Sequence, residues 1–234
     1  MAALDSLLSD PWALLERAVD GPLHPGGEAA TIDLLDRADV GEGTRLLDVG
    51  CGAGNALELA AGRGARPVGL DRNPPEWGAV RGDLAELPFG DASLDVVLGE
   101  CVLCLSGDLD RTLAEIERVL VPGGRLALSD VTVEGEPPDL PPLLDEMFCL
   151  ANAREPGGLR REVEAAGLGV TDVRTHREDL LSMRDRMVEA VDYERLLGLL
   201  GERGTRIEAG IEELEAAVEE GRVGYVSIVA ERRR

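Results

Sequence analysis

Three glycines at every second position, Gly50, Gly52 and Gly54, follow a short apolar run and an acid, Asp48. A strand that runs into such a loop, and from there into a helix, delivers backbone N–H groups and a close backbone surface to a nucleotide-like ligand. The spacing departs from the dinucleotide pattern G-x-G-x-x-G. Position 55 is Asn, and the third glycine falls one residue early. An anionic pyrophosphate is repelled by a carboxylate two residues before the first glycine. A ligand carrying an amino group and a sulfonium tolerates it, so the loop, with Cys51 inside it, points to S-adenosylmethionine before NAD.

Further chemistry-bearing residues recur at similar places along the chain. Asp71 follows the loop by about the 20 residues expected of a ribose-binding carboxylate, and Arg72 follows it directly. Asp83, in Gly82-Asp83-Leu84, is placed to bond an adenine amino group. Glu100 and Cys101 close another apolar run. Glu100 reads as a cofactor or substrate ligand, or as a surface carboxylate. His24 and His176 are the two histidines. His24 lies in a loop before Pro25-Gly26-Gly27, where it either lines the methionine end of the cofactor or faces solvent.

The elements that must position these residues follow from periodicity. Apolar spacing predicts helices over 3–19, interrupted at Pro11, and over about 27–38. Strands are expected at Arg45–Val49, Pro67–Asp71, Ala79–Arg81, Leu94–Leu98 and Arg125–Ser129, with helices over 54–62 and Asp110–Leu120. Five strand–helix alternations predict an α/β fold, a doubly wound, mostly parallel sheet with right-handed crossovers. Ligands then bind outside the carboxyl ends of the strands, where Asp48, Asp71, Asp83, Glu100 and Cys101 fall together. Beyond a proline-rich loop at 134–142, helices are expected over 143–150 and 158–166 and a sixth strand over 170–175. Residues 180–220 read as helical, broken near Gly201 and Gly204, and 223–229 as a last strand. The expected organisation is one domain: a helical cap (1–40), a cofactor-binding core (41–178), a helical insertion or lid (179–221) and the last strand (222–234). Met183 and Met187 read as core.

The 234 residues carry 46 acids against 24 bases, all arginine, for a formal net charge of −22. Such a surface disfavours nucleic acid and anionic membranes. No apolar run approaches the roughly 20 residues of a membrane span, and Asp5 and Asp10 stand where a secretory signal has its basic region. A cytoplasmic protein, monomeric or homodimeric, is expected. Aromatics make up only 3 %, so the core must be built from Leu, Val, Ala and Ile. Four cysteines in such a chain read as buried, reactive or ligating rather than disulfide-bonded.

The run Asp48–Gly54, Asp71, Gly82-Asp83-Leu84 with Leu87-Pro88-Phe89, and Val119–Gly124 together resemble the successive motifs of class I S-adenosylmethionine-dependent methyltransferases. The resemblance covers about residues 28–178. It implies a seven-stranded sheet whose last strand runs antiparallel, and S-adenosylhomocysteine as product. It implies cofactor contacts at Asp48, Gly50, Cys51, Gly52, Gly54, Asp71, Arg72, Asp83, Leu84 and Glu100. A narrower run, Glu100-Cys101-Val102-Leu103-Cys104-Leu105-Ser106 through Arg125–Val131, is similar to arsenite methyltransferases. In that family a cysteine after the fourth strand and a second before the sixth bind trivalent arsenic, which implies arsenic ligands at Cys101 and Cys149. The family's N-terminal cysteine and cysteine-rich C-terminal region have no counterpart here.

Methyl transfer is chiefly a matter of proximity and alignment, worth on the order of 7–11 kcal/mol. A lone pair on thiolate-held arsenic needs no general base, and soft thiols suit a thiophilic centre. Cys101, Cys149 and Glu100 are therefore the candidate catalytic residues, and the expected partner is a small-molecule methyl acceptor. The alternatives are a methyltransferase for another small metabolite, in which Cys101 is only a small apolar residue at a strand end, and a non-catalytic cofactor-binding regulator. Cys101 and Cys104 form C-x-x-C without a second pair at zinc-ligand spacing. Cys104 then reads as packing or an auxiliary thiol and Cys51 as structural.

Overall fold

A computed structural model describes residues 21–75, 77–150, 152–190, 197–198 and 200–233. The expected helices over 3–19 and the side chain of Met187 lie outside what is described. In chain order the elements are α1 (Gly27–Arg37), β1 (Arg45–Val49), α2 (Asn55–Gly62), β2 (Arg66–Asp71), β3 (Ala79–Arg81), β4 (Leu94–Glu100) and α3 (Leu109–Val119). They continue with β5 (Leu120–Val133), α4 (Pro142–Met147), α5 (Pro156–Ala165), β6 (Leu168–Thr175), α6 (Arg177–Ala190), α7 (Glu202–Glu219) and β7 (Val223–Arg232).

The seven strands form one sheet in the order β3-β2-β1-β4-β5-β7-β6. Pairing is parallel from β3 to β5, and β7 runs antiparallel to both β5 and β6. Alternation along β1 shows why both faces are covered. Leu47 and Val49 join one core with Leu113, Ile116 and Val119 of α3, while Leu46 joins the other with Leu34 and Leu35 of α1 and Ala56 and Ala60 of α2. Both cores are aliphatic, as the scarcity of aromatics requires.

Most boundaries shift by one to three residues from expectation, and the larger departures lie in β5 and near Gly204. Pro122, Gly123 and Gly124, ahead of the expected strand Arg125–Ser129, lie inside β5, because Leu120 already pairs with Leu94 and the register shifts before Arg125 meets Val96. β5 also runs on to Val133, held there by β7 through Val133 opposite Val223. Gly201 ends the helical break alone. Gly204 lies within α7, seated so closely on the Leu197 backbone that a β-carbon has no room.

Candidate functional site

The carboxyl ends of β1, β2 and β4 converge beside the glycine loop. Gly50, Gly52 and Gly54 all have positive φ, at 74°, 48° and 91°. They differ in what surrounds them. A β-carbon on Gly50 would lie 2.4 Å from Cγ2 of Val102, whereas nothing lies within 4 Å of one on Gly52. Gly50 is thus demanded by packing, and Gly52 leaves open space where a ligand's surface can approach. The loop's amides, expected to face a ligand, are instead bonded within the protein. Gly50 and Cys51 donate to the Leu70 carbonyl (2.7 and 3.3 Å), and Gly54 to that of Cys51 (2.8 Å). Gly52 donates to Oδ2 of Asp71 at 3.1 Å. A loop with its donors spent this way suits a cationic ligand better than a pyrophosphate.

Asp71 also accepts from the Asn73 amide at 2.8 Å, so the end of β2 is clamped to the loop. Arg72, exposed, reaches across to donate to the Leu105 carbonyl at 3.3 Å. Asp83 is exposed and caps its own turn by accepting from the Ala85 amide, while Leu84 is buried. Cys51 packs against Gly69 of β2, where a β-carbon would meet its sulfur, and burial pushes its thiol up to about 12.

Behind the loop lie buried carboxylates. Asp48 is 4 % exposed, and burial with Glu100 and Asp71 nearby holds its carboxyl well above the usual range. Burial also raises Glu100, against the contrary pull of His24 and Thr31. Thr31 Oγ1 donates to Glu100 Oε2 at 2.9 Å, and His24 Nε2 stands 3.5 Å from the same oxygen. Glu100 Oε1 is buried without a hydrogen-bond partner. His24 is buried against Thr31 (3.2 Å), which resolves its two sequence readings toward the interior. Thr31 is missed by sequence reasoning. Its only signal is a threonine on the inward face of α1, seven residues after His24.

On the far side of Glu100, three thiols meet. All four cysteines are free. Cys104 and Cys149 both point their sulfurs at the Cys101 carbonyl, at 3.7 and 3.8 Å. The Cys149 sulfur lies within 4.8 Å of that of Cys104 and contacts Cys101 at its carbonyl. That contact, with burial, holds Cys101 well above its usual range. For Cys104 the Cys149 contact pulls down, and burial beside Asp130 more than offsets it. Cys101 and Cys149 both adopt left-handed backbone, with φ of 51° and 58°. Such a conformation costs about 1–2 kcal/mol in a residue with a β-carbon, and it clusters at ligand sites. The Cys101 thiol also donates to Tyr225 Oη at 3.7 Å, and Tyr225 donates to Ser129 Oγ at 2.7 Å. Tyr225 and Asp130 are further residues that sequence reasoning missed. A lone tyrosine in an apolar last strand was the available hint for the first. Leu180 and Leu181 of α6 and Leu214, Ala217 and Val218 of α7 pack over the thiols.

The fold, a doubly wound sheet with an antiparallel seventh strand and an open glycine loop above buried carboxylates, defines a class I methyltransferase architecture. Comparison with known proteins agrees. Residues 47–128 match a family described as a methyltransferase domain. The chain is 34 % identical over 204 residues to the methyltransferase GfsG of Streptomyces halstedii, covering 78 % of this chain and 73 % of that protein. It is 30 % identical over 156 residues to an arsenite methyltransferase of Halobacterium salinarum, covering 58 % of this chain and 40 % of that one. Among solved structures, geranyl diphosphate C-methyltransferase from Streptomyces coelicolor A3(2), bound to Mg2+, geranyl diphosphate and S-adenosyl-L-homocysteine, shares the fold. Its TM-score is 0.70 at 18 % identity, over 88 % of this chain and 77 % of that one. The chain belongs to this methyltransferase family, whose methyl donor is S-adenosylmethionine. Among the described residues, no helix is long and apolar enough to cross a membrane.

Proposed function

We propose that the chain transfers a methyl group from S-adenosylmethionine to a small thiophilic acceptor, a trivalent arsenical, held by Cys101 and Cys149. The observation that carries this reading is the approach of the Cys149 thiol to Cys101, whose carbonyl it reaches at 3.8 Å, at the carboxyl end of β4 next to Glu100. The unpartnered Oε1 of Glu100 and the empty space over Gly52 support cofactor binding at the neighbouring carboxylates.

In this reading Gly52 admits the cofactor's surface, Asp71 faces the ribose, and Asp48 and Glu100 answer its positive charge. When bound, the cofactor supplies a methyl carbon made electrophilic by the adjoining sulfonium. The raised thiols need not ionise before they bind arsenic. Arsenous acid and two thiols give two As–S bonds and two waters, so each thiol proton leaves on a displaced hydroxide. The arsenic keeps its lone pair, so no side chain has to remove a proton. The chain's contribution is alignment, which Tyr225 serves by fixing the Cys101 sulfur. The helices α6 and α7 act as a cover that keeps water from the thiols.

The buried His24–Glu100 pair favours a second reading, an acceptor with a hydroxyl or amine that His24 deprotonates. Turnover with arsenite plus a small thiol, against a panel of amines and hydroxyl compounds, separates the two. The first reading requires methylated arsenic from the wild type and its loss in Cys101→Ser. Equal arsenic methylation in the two proteins sinks it, and methylation confined to amines or hydroxyls moves the assignment to the second.

A further inference from the structure

We infer that Cys104, Asp130 and Cys149 form a buried site for one thiophilic divalent cation of the zinc class. The ligand atoms of the three residues all lie within 4.8 Å of one another, and all three residues are buried. Tetrahedral zinc, with bonds of about 2.3 Å to sulfur and about 2.1 Å to oxygen, holds its ligand atoms roughly 3.5–3.8 Å apart. Rotations that move these atoms by about an ångström close the site. No other group of histidine, cysteine and acidic side chains converges this way among the described residues.

The three ligands come from separate parts of the chain and are held from outside. Cys104 lies in the short 3-10 turn Leu103–Leu105, and Asp130 lies in β5. Cys149 follows α4 in its left-handed conformation. Asp130 Oδ2 accepts from the Cys104 amide at 3.0 Å and Oδ1 from the Val131 amide at 2.9 Å. Asn152 Nδ2 donates to the Cys104 carbonyl at 3.0 Å. Such outer contacts fix ligand orientation and leave the remaining carboxylate lone pairs for a cation. Arg154 lines the same small cavity, but its guanidinium bonds the Asn152 carbonyl and pairs with Glu162 at 3.4 Å. The donor set of two sulfurs and one carboxylate oxygen suits zinc or cadmium and disfavours magnesium and calcium. Binding is not redox chemistry: each coordinated thiol releases one proton to solvent. The ligands that join Cys104, namely Asp130 and Cys149, have no spacing signal in the sequence because they arrive only through the fold.

The inference does not rest on the arsenical reading, in which Cys104 and Asp130 take no part. The test is titration of the reduced, metal-stripped full chain with Cd2+, followed by thiolate-to-cadmium absorbance in the near ultraviolet, with Zn2+ as competitor. The wild type is expected to bind one equivalent. Cys104→Ser should lose about half of the absorbance, since the signal counts coordinated thiolates and the site holds two. Asp130→Asn should weaken binding by about tenfold or more, because changes outside the ligand shell alone cost about 10–100-fold. Cys51→Ser should titrate as the wild type. Far-UV circular dichroism checks folding of each variant. If a variant fails to fold, the cadmium NMR resonance of the wild type decides: a downfield, sulfur-rich position supports the site and an oxygen-only position overturns it. Absence of stoichiometric cadmium binding overturns the inference. So does equal affinity and absorbance in folded Cys104→Ser and Asp130→Asn. Arsenic methylation lost with the cadmium titration intact sinks the acceptor reading alone, and the converse sinks the metal site alone.

Discussion

Replacing Glu100 with glutamine is expected to stabilise the cofactor-free protein and weaken its hold on S-adenosylmethionine. Glu100 Oε1 is buried without a partner, and its charge faces that of Asp48. A buried polar group left unpaired costs on the order of 1–3 kcal/mol. Glutamine keeps an oxygen for the Thr31 hydroxyl, now 2.9 Å from Oε2, and replaces a charged unpaired group, the costlier kind to bury, with a neutral one. A gain of about 1 kcal/mol raises the melting temperature by about 2–4 °C in a chain of this size. Under the proposed reading, in which Glu100 answers the cofactor's positive charge, the same change removes a charge-assisted hydrogen bond worth about 1.5–3 kcal/mol. That corresponds to roughly 10- to 100-fold in the dissociation constant. Thermal melting with and without cofactor, together with calorimetric titration, reads both effects. A lower melting temperature with unchanged cofactor affinity refutes the reasoning and leaves Glu100 as a structural anchor for Thr31 and His24.

Other perturbations separate packing from ligand contact. Gly50→Ala, which drives a β-carbon into Val102 at positive φ, should cost about 2–4 kcal/mol by denaturant melts. Gly52→Ala should cost only about 1–2 kcal/mol of stability yet lose most cofactor binding in calorimetry, because its β-carbon enters the open space. Asp48→Asn should flatten the pH dependence of stability. The raised Asp48 carboxyl burdens the fold once it is ionised, so wild-type stability falls as pH rises through its folded value. The cost sets in above the ordinary aspartate value of about 3.8 and is absent only well below it, where Asp48 is protonated even unfolded. Cofactor-free melts from pH 4 to 8 read the difference between the two proteins. Cys101→Gly should be about 1 kcal/mol more stable than Cys101→Ala, since only glycine relieves the left-handed backbone at φ 51°.

The fold was legible because its signals are local. Apolar runs ending in Asp48, Asp71 and Glu100 mark strands β1, β2 and β4 within a residue or two of where they end. The positive-φ glycines mark the loop between β1 and α2 just as plainly. The site was legible only where one stretch of chain carries it. Spacing placed Cys101 at the end of β4, but it could not show that Cys104 turns back through a single 3-10 turn onto the Cys101 carbonyl. Nor could it show the approach of Asp130 and Cys149, which depends on β5 running past Ser129 and on α4 ending at Met147. The amides of the glycine loop went the other way. Sequence offered them to a ligand, and the neighbouring strand took them, because Leu70 and Asp71 lie in register beside Val49 and Gly50. His24 and Thr31 meet Glu100 only because α1 packs over β4, a long-range contact without a local trace.

The most direct test of the acceptor assignment is arsenic K-edge absorption of the arsenite-loaded, reduced protein, taken for the wild type and for Cys101→Ser and Cys149→Ser. The wild type is expected to show an As–S shell of at least two sulfurs. Each serine variant should lose a sulfur from that shell and fall about 100-fold or more in arsenic methylation, while its calorimetric affinity for S-adenosylmethionine stays within about threefold of wild type. An oxygen-only arsenic shell in the wild type, or a sulfur shell that both serine variants keep, contradicts the assignment.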